Sequence, residues 1–75
     1  MARHPGVDNA LRWLDASHLP DDLAAVVGPI KAAADMVLEE IPTDSAELTA
    51  GLNLLVQAKD HLVRAKIIDK EKRSE

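Results

Sequence analysis

The sequence predicts an all-α fold: a short N-terminal helix followed by an antiparallel two-helix hairpin. The chain of 75 residues is 47% apolar but has a single aromatic residue, Trp13, so its core must be built from Leu, Val, Ile and Ala. These apolar residues recur at helical spacing in three segments, which are separated by two proline-containing turns. Cysteine is absent, which excludes disulfides and zinc–thiolate sites.

The first helix is predicted from about Val7 to Asp15. Its apolar residues follow the i, i+3, i+4, i+7 rule of one helix face, and they are Val7, Ala10, Leu11 and Leu14. A helix this short is marginal unless it packs against the rest of the chain. The segment from Ser17 to Pro20 should end it.

The second helix is predicted to start at Pro20, because the first helical position does not need a backbone N–H. Asp21 and Asp22 would then lie in the first turn, where the helix dipole favours negative charge. Pro29 interrupts the segment, but the apolar stripe keeps its phase as far as Ile41. One helix kinked at proline is therefore favoured over two helices that meet there.

The third helix should follow the turn Pro42–Ser45 and run to about Ile68. Asp44 and Glu47 resemble a capping box at its start. A turn this short between two long helices favours antiparallel packing. The predicted domain is residues 1–68, with a charged tail, 69–75, that is expected to fray.

The third helix carries more apolar surface than the predicted hairpin can cover. Seven residues fall in an arc of roughly 140°, namely Leu48, Leu52, Leu55, Val56, Leu62, Val63 and Ile67. Leu54 and Ile68 lie outside this arc. The uncovered apolar area predicts a homo-oligomer.

Charge and composition exclude several classes of function. A net charge of −4 argues against a nucleic-acid polymer as partner. No uncharged run is long enough to cross a bilayer, and the first residues lack the apolar core of a signal peptide. The three histidines are not at metal-ligand spacing, and no catalytic arrangement or phosphate loop is found. We therefore predict a soluble protein with no catalytic residues, metal or cofactor.

Three lysines could either cover apolar surface or meet phosphates. Lys59 and Lys66 lie within roughly 20° of the centre of the apolar arc, and Lys31 flanks the stripe of the second helix. Snorkelling is the favoured interpretation for Lys66. For Lys59 snorkelling and phosphate binding have equal weight, because an amine in mid-helix that faces a core needs a partner. In the functional interpretation these lysines bind ligand phosphates between subunits.

Three further residues carry a structural and a functional interpretation. Trp13 is favoured as a core anchor over a stacking platform for a base. His18 could cap or staple the second helix, or stack on a purine. Arg64 is an exposed helix arginine by default, and a phosphate-binding fork in an oligomer otherwise.

Most of the chain resembles a family of small bacteriophage proteins, the anti-CBASS sponges for cyclic oligonucleotides. The best matching segment is Ala58–Ala65. Shorter pieces are His18–Pro20, Val27–Ile30, Ile41–Pro42, Glu47–Thr49 and Gly51–Leu52.

The resemblance implies an all-helical hexamer in the host cytoplasm. Such proteins bind cyclic dinucleotides, and some bind cyclic trinucleotides at separate sites, without cleaving them. The family's ligand-binding lysine aligns with Lys31, its stacking aromatic with Ala16 and a supporting threonine with Ala33. Because alanine stands at both of the last two positions, the stacking role would fall to His18 or Trp13. Alternatively, the ligand would be a cyclic trinucleotide or a different cyclic nucleotide.

The leading hypothesis is a non-catalytic sponge that captures cyclic di- or trinucleotides between subunits, without a cofactor or a membrane. Its candidate ligand-binding residues are Lys31, His18, Lys59, Arg64 and Trp13. The alternative is a small helical adaptor or inhibitor whose apolar face binds a protein. A third interpretation is a purely structural assembly domain.

Overall fold

Residues 3–74 are described by a computed structural model that contains three helices. They are α1 (Pro5–Trp13), α2 (Asp21–Glu40) and α3 (Ala46–Arg73). No strand is present among these residues, which confirms the all-α prediction. Over the same range, no helix combines the length and the apolar character that a bilayer crossing requires.

Helix α3 is the centre of the fold, because α1 and α2 both pack against it. The buried core cluster draws on all three helices and comprises Val7, Ala10, Leu14, Ala34, Leu48 and Leu52. Leu11, Ile30, Leu38, Leu55 and Val56 pack around it and are partly buried. The four apolar residues that predicted the first helix therefore all contribute to the core, which is why so short a helix can be stable here.

Polar contacts join α2 to the end of α3, and the N-terminal segment to the turn before α3. Asp22 in the first turn of α2 forms an ion pair with Lys70 in the last turn of α3. The Arg3 guanidinium donates to Asp44 Oδ1 at 2.6 Å and to the carbonyl oxygens of Leu38 and Ile41 at 2.8 and 2.9 Å. Arg3 thereby ties the N-terminal segment to the end of α2 and to the turn that follows it.

Helix α1 lies two residues nearer the N-terminus than predicted. It begins at Pro5, which occupies the first helical position, and His4 is its N-cap. The His4 Nδ1 atom accepts a hydrogen bond from Gly6 N at 3.0 Å, which satisfies one free donor of the first turn. The helix ends at Trp13, so Asp15 is outside it.

Helix α2 is continuous, with Pro29 in its interior. The expectation of one helix rather than two is therefore confirmed. Pro20 serves as the N-cap rather than as the first helical residue, and the acidic pair Asp21 and Asp22 occupies the first turn as expected.

The capping box predicted at the start of α3 is wrong. Ser45 is the N-cap, and its hydroxyl accepts from Leu48 N at 3.1 Å. The Asp44 carboxylate is occupied elsewhere, because it accepts from the Arg3 guanidinium and from His4 N, each at 2.6 Å.

Helix α3 also continues past Ile68 to Arg73. The basic residues in its last turn stabilise the helix, because they lie at the negative end of its dipole. An i, i+4 ion pair between Asp69 and Arg73, 3.0 Å long, gives a further small stabilisation. These interactions explain why a segment that the sequence marks as a charged tail is helical.

Candidate functional site

A cleft of about 490 Å³ lies where the end of α1 and the connection to α2 approach the second half of α3. Its charged and polar lining residues are Arg12, Asp15, His18, Lys59, Asp60 and Arg64. Its apolar lining residues are Trp13, Leu19, Val27 and Val63. The volume is within the range of small-molecule sites.

Trp13 is on the rim of this cleft and not in the core. Its side chain is 57% exposed, so the favoured expectation of a core anchor is wrong. The buried face of α1 is already filled by smaller residues, Val7, Ala10 and Leu14, which are completely buried. The Arg12 guanidinium lies over the indole at 6.0 Å from the ring centroid, at the limit of a cation–π contact. Much of the indole surface is therefore available for stacking.

Lys59 and Asp60 form an ion pair in the cleft. The Lys59 Nζ atom lies 2.7 Å from Asp60 Oδ1, and the lysine side chain is only 14% exposed. The hydrogen bond from Lys59 is the main cause that lowers the pKa of Asp60, with smaller contributions from the charges of Lys59, Arg64 and His61. The amine of this largely buried side chain thus has the partner that its place in the apolar arc requires.

Asp15 shapes the loop that carries His18. Its carboxylate accepts from Ser17 N at 3.1 Å and from the Ser17 hydroxyl at 2.9 Å. These hydrogen bonds, the backbone one first, lower the pKa of Asp15, and the charges of His18 and Lys31 act in the same direction. The resulting turn brings the exposed His18 side chain to the cleft.

Positive charge prevails locally in an acidic chain. The cleft has three permanent cations, Arg12, Lys59 and Arg64, against two carboxylates, Asp15 and Asp60. The whole chain, by contrast, has a net charge of −4. Guanidinium groups beside an indole can hold a phosphate together with a planar ring. The arrangement is therefore suited to binding a compact anion that has aromatic groups.

The structure brings together four of the five residues that the sequence selected, namely Trp13, His18, Lys59 and Arg64. Lys31 is not among the lining residues. Its Nζ atom lies 2.9 Å from both carboxylate oxygens of Asp35, one turn further along α2. Its charge makes the smallest of the contributions that lower the pKa of Asp15. Lys66, expected to snorkel, is half-buried on α3.

Sequence reasoning missed three charged residues of the cleft. Arg12 had a weak signal, because it precedes the only aromatic residue of the chain. Asp15 had one too, since an Asp two residues before a Ser is typical of a side-chain-capped turn. Asp60 follows Lys59 directly, and neighbours on a helix do not ordinarily face each other. Nothing in the sequence alone indicates their pairing.

A second, more apolar groove lies between the end of α2 and the start of α3. Its lining residues include Val37, Ile41, Leu48, Leu52 and Leu55. Within residues 3–74, no three His, Asp or Glu side chains are grouped closely enough to hold a metal ion.

Comparisons of the chain with protein-family models, curated proteins and solved structures gave no match.

Proposed function

We propose that this protein is a phage anti-defence sponge that binds a cyclic di- or trinucleotide second messenger and withholds it, uncleaved, from a bacterial CBASS-type effector. The observation that carries the proposal is the convergence of Trp13, His18, Lys59 and Arg64 on one cleft. The sequence alone indicates the same four residues as candidates for ligand binding. They lie on α1, in the following loop and on α3.

The chemistry of the cleft suits such a ligand. A cyclic dinucleotide has two phosphates and two bases, so a few cations and a stacking surface suffice. Arg64 and Arg12 offer guanidinium forks for phosphate oxygens, and Lys59 offers a point charge. Trp13 and His18 supply rings for stacking. An acidic protein can bind this anion because the positive charge is local.

Oligomerisation completes the proposal. We take α2 and α3 as an antiparallel hairpin, which the contact between Asp22 and Lys70 supports. Several large apolar side chains remain exposed on this hairpin, namely Met36, Val37, Ile41, Leu54, Leu62, Ile67 and Ile68. Burying them between subunits would favour a closed homo-oligomer, and the family resemblance implies that this oligomer is a hexamer. A neighbouring subunit would also close the open side of the cleft and bury more of the ligand.

Calorimetry against a panel of cyclic di- and trinucleotides tests this function. At least one member should bind saturably, and heat denaturation of the complex should release it intact. No binding across the panel would refute the sponge. Recovery of a hydrolysed product would instead make the protein an enzyme.

The apolar groove between α2 and α3 favours the alternative function, a protein-interaction adaptor. Val37 and Ile41, which line it, are exposed, as residues of a helix-binding surface would be. Light scattering separates the two. A monomer that binds no cyclic nucleotide supports the adaptor, and a closed oligomer that binds one supports the sponge.

A further inference from the structure

One exposed face of α3 has a heptad pattern; it points away from α1 and α2 except at its N-terminal end, where Gly51 and Glu47 border the groove between α2 and α3. Small and large residues alternate along this face at spacings of three and four, as in a coiled-coil seam. They are Gly51, Leu54, Ala58, His61, Ala65 and Ile68, and every one is exposed. Leu54 is 64% exposed and Ile68 51%. We call these six residues the seam.

The seam is complementary to itself in antiparallel orientation. If Ala58 lies opposite His61 of the partner subunit, each small residue meets a large one in every layer. Leu54 then packs over Ala65 of the partner subunit, and Gly51 meets Ile68 of the partner subunit. Small residues at the contact let two helices pack at a short interaxial distance.

Charge complementarity selects the same orientation. Glu47 and Lys72 lie four residues beyond the two ends of the seam, and both are exposed. In this antiparallel register each Glu47 faces Lys72 of the partner subunit, so both ends of the interface gain an attraction. A parallel pairing in register would set like charges opposite each other.

Gly51 leaves open space at one end of the seam. A glycine inside a helix destabilises it relative to alanine. The protomer itself does not require this glycine, because an added Cβ at Gly51 would meet no atom within 4 Å. The open space at Gly51 can therefore receive a large side chain of a second copy.

We propose that the seam pairs with the seam of a second copy of this chain, antiparallel, with Leu54 opposite Ala65 of the partner subunit. This inference rests on the self-association in the proposed function, and it does not depend on the ligand. It also brings Gln57 of the partner subunit across from Arg64, at the edge of the cleft.

Cross-linking in the full chain tests the register, since no native cysteine interferes. The variants Leu54→Cys and Ala65→Cys are treated with a short bismaleimide, separately and mixed. The antiparallel register predicts the mixed product, identified by mass, and little product from either variant alone. Leu54 is separated from its own copy by about 16 Å along the axis in this register, beyond the reagent's reach. Self-cross-linking of Leu54→Cys alone would indicate parallel pairing and overturn the proposal.

Charge exchange gives a second test that does not alter the seam. Glu47→Lys and Lys72→Glu should each lower the dimer association constant several-fold, and the double variant should restore it. Circular dichroism checks that each variant stays helical.

A substitution in the seam itself gives a third test. Ala58→Glu should separate the two copies, which light scattering detects as a lower mass, whereas Ala32→Glu, on an exposed face of α2, should leave the mass unchanged. If neither the double variant restores association nor Ala58→Glu reduces it, the seam is not the interface. A cross-linked dimer that binds no cyclic nucleotide would refute the sponge alone.

Discussion

The Lys59 ammonium lies 2.7 Å from Oδ1 of Asp60, its neighbour in the chain, and both residues line the cleft. The carboxylate holds the amine in place, but it also competes with any phosphate for the same charge. The pair therefore controls how strongly the cleft attracts an anion, and separate substitutions of its two members should have opposite effects.

Lys59→Met should weaken binding of a cyclic nucleotide about 10- to 100-fold, the loss expected for one charge-assisted hydrogen bond. Asp60→Asn should strengthen it about five-fold, because the competing charge is removed. Calorimetry measures both constants. Asp69→Asn is a matched control, since it removes a carboxylate of α3 outside the cleft lining. Equal affinities for all three variants would place the ligand elsewhere.

Substitution of Lys31 distinguishes a ligand site on α2, which the family resemblance implies, from the cleft. The family resemblance assigns Lys31 the leading role, whereas it is paired with Asp35 and does not line the cleft. We expect Lys31→Met to reduce affinity less than Lys59→Met does, because it acts only through its longer-range charge. The reverse order in the same titration would move the site to α2.

Leu14 tests the packing of α1 on α3. It is completely buried and belongs to the shared core. Leu14→Ala should lower the free energy of unfolding by about 2–5 kcal/mol, because it leaves a cavity in that core. Chemical denaturation at matched protein concentration measures the change. A loss below about 0.5 kcal/mol, typical of a surface substitution, would show that α1 is not docked.

The stability should fall at acid pH, through four aspartates whose pKa is lowered in the fold. They are Asp15, Asp22, Asp44 and Asp60. A carboxylate with a depressed folded pKa stabilises the protein fully above its unfolded pKa, about 3.9, and that stabilisation is lost as pH falls through the folded value.

For Asp44 the causes are the hydrogen bond from His4 N and then that from Arg3. Asp44→Asn should therefore flatten part of the pH dependence between about pH 5 and pH 2, and Arg3→Met a smaller part. Thermal unfolding across this range provides the data. An unchanged pH profile for Asp44→Asn would contradict the role assigned to its hydrogen bonds.

Local pattern was enough to predict the three helices, since their apolar spacing and proline positions are properties of single segments. The buried face of α1 and the continuity of α2 through Pro29 followed from it. Boundaries that depend on distant partners were missed. Asp44 was expected to cap α3 but binds Arg3, which is remote in sequence, and Ser45 caps instead.

The residues of the candidate site could be predicted from the sequence, but their positions relative to one another could not. Trp13 and Arg64 come together only because α1 docks on α3, and no spacing along one helix indicates that contact. The exposure of Trp13 was missed for a related reason. In a core made of small aliphatic residues, the shorter side chains of α1 fill the space against α3 and leave the indole at the rim.

The fluorescence emission of Trp13 offers the most direct test of ligand binding in this cleft, because the chain has one Trp and neither Tyr nor Phe. Titration with the cyclic nucleotide that calorimetry identifies should quench it saturably, with a dissociation constant equal to the calorimetric one, as a base stacks on the indole. Emission that stays constant while calorimetry reports saturation would contradict the account, as would an unchanged signal with every cyclic di- and trinucleotide.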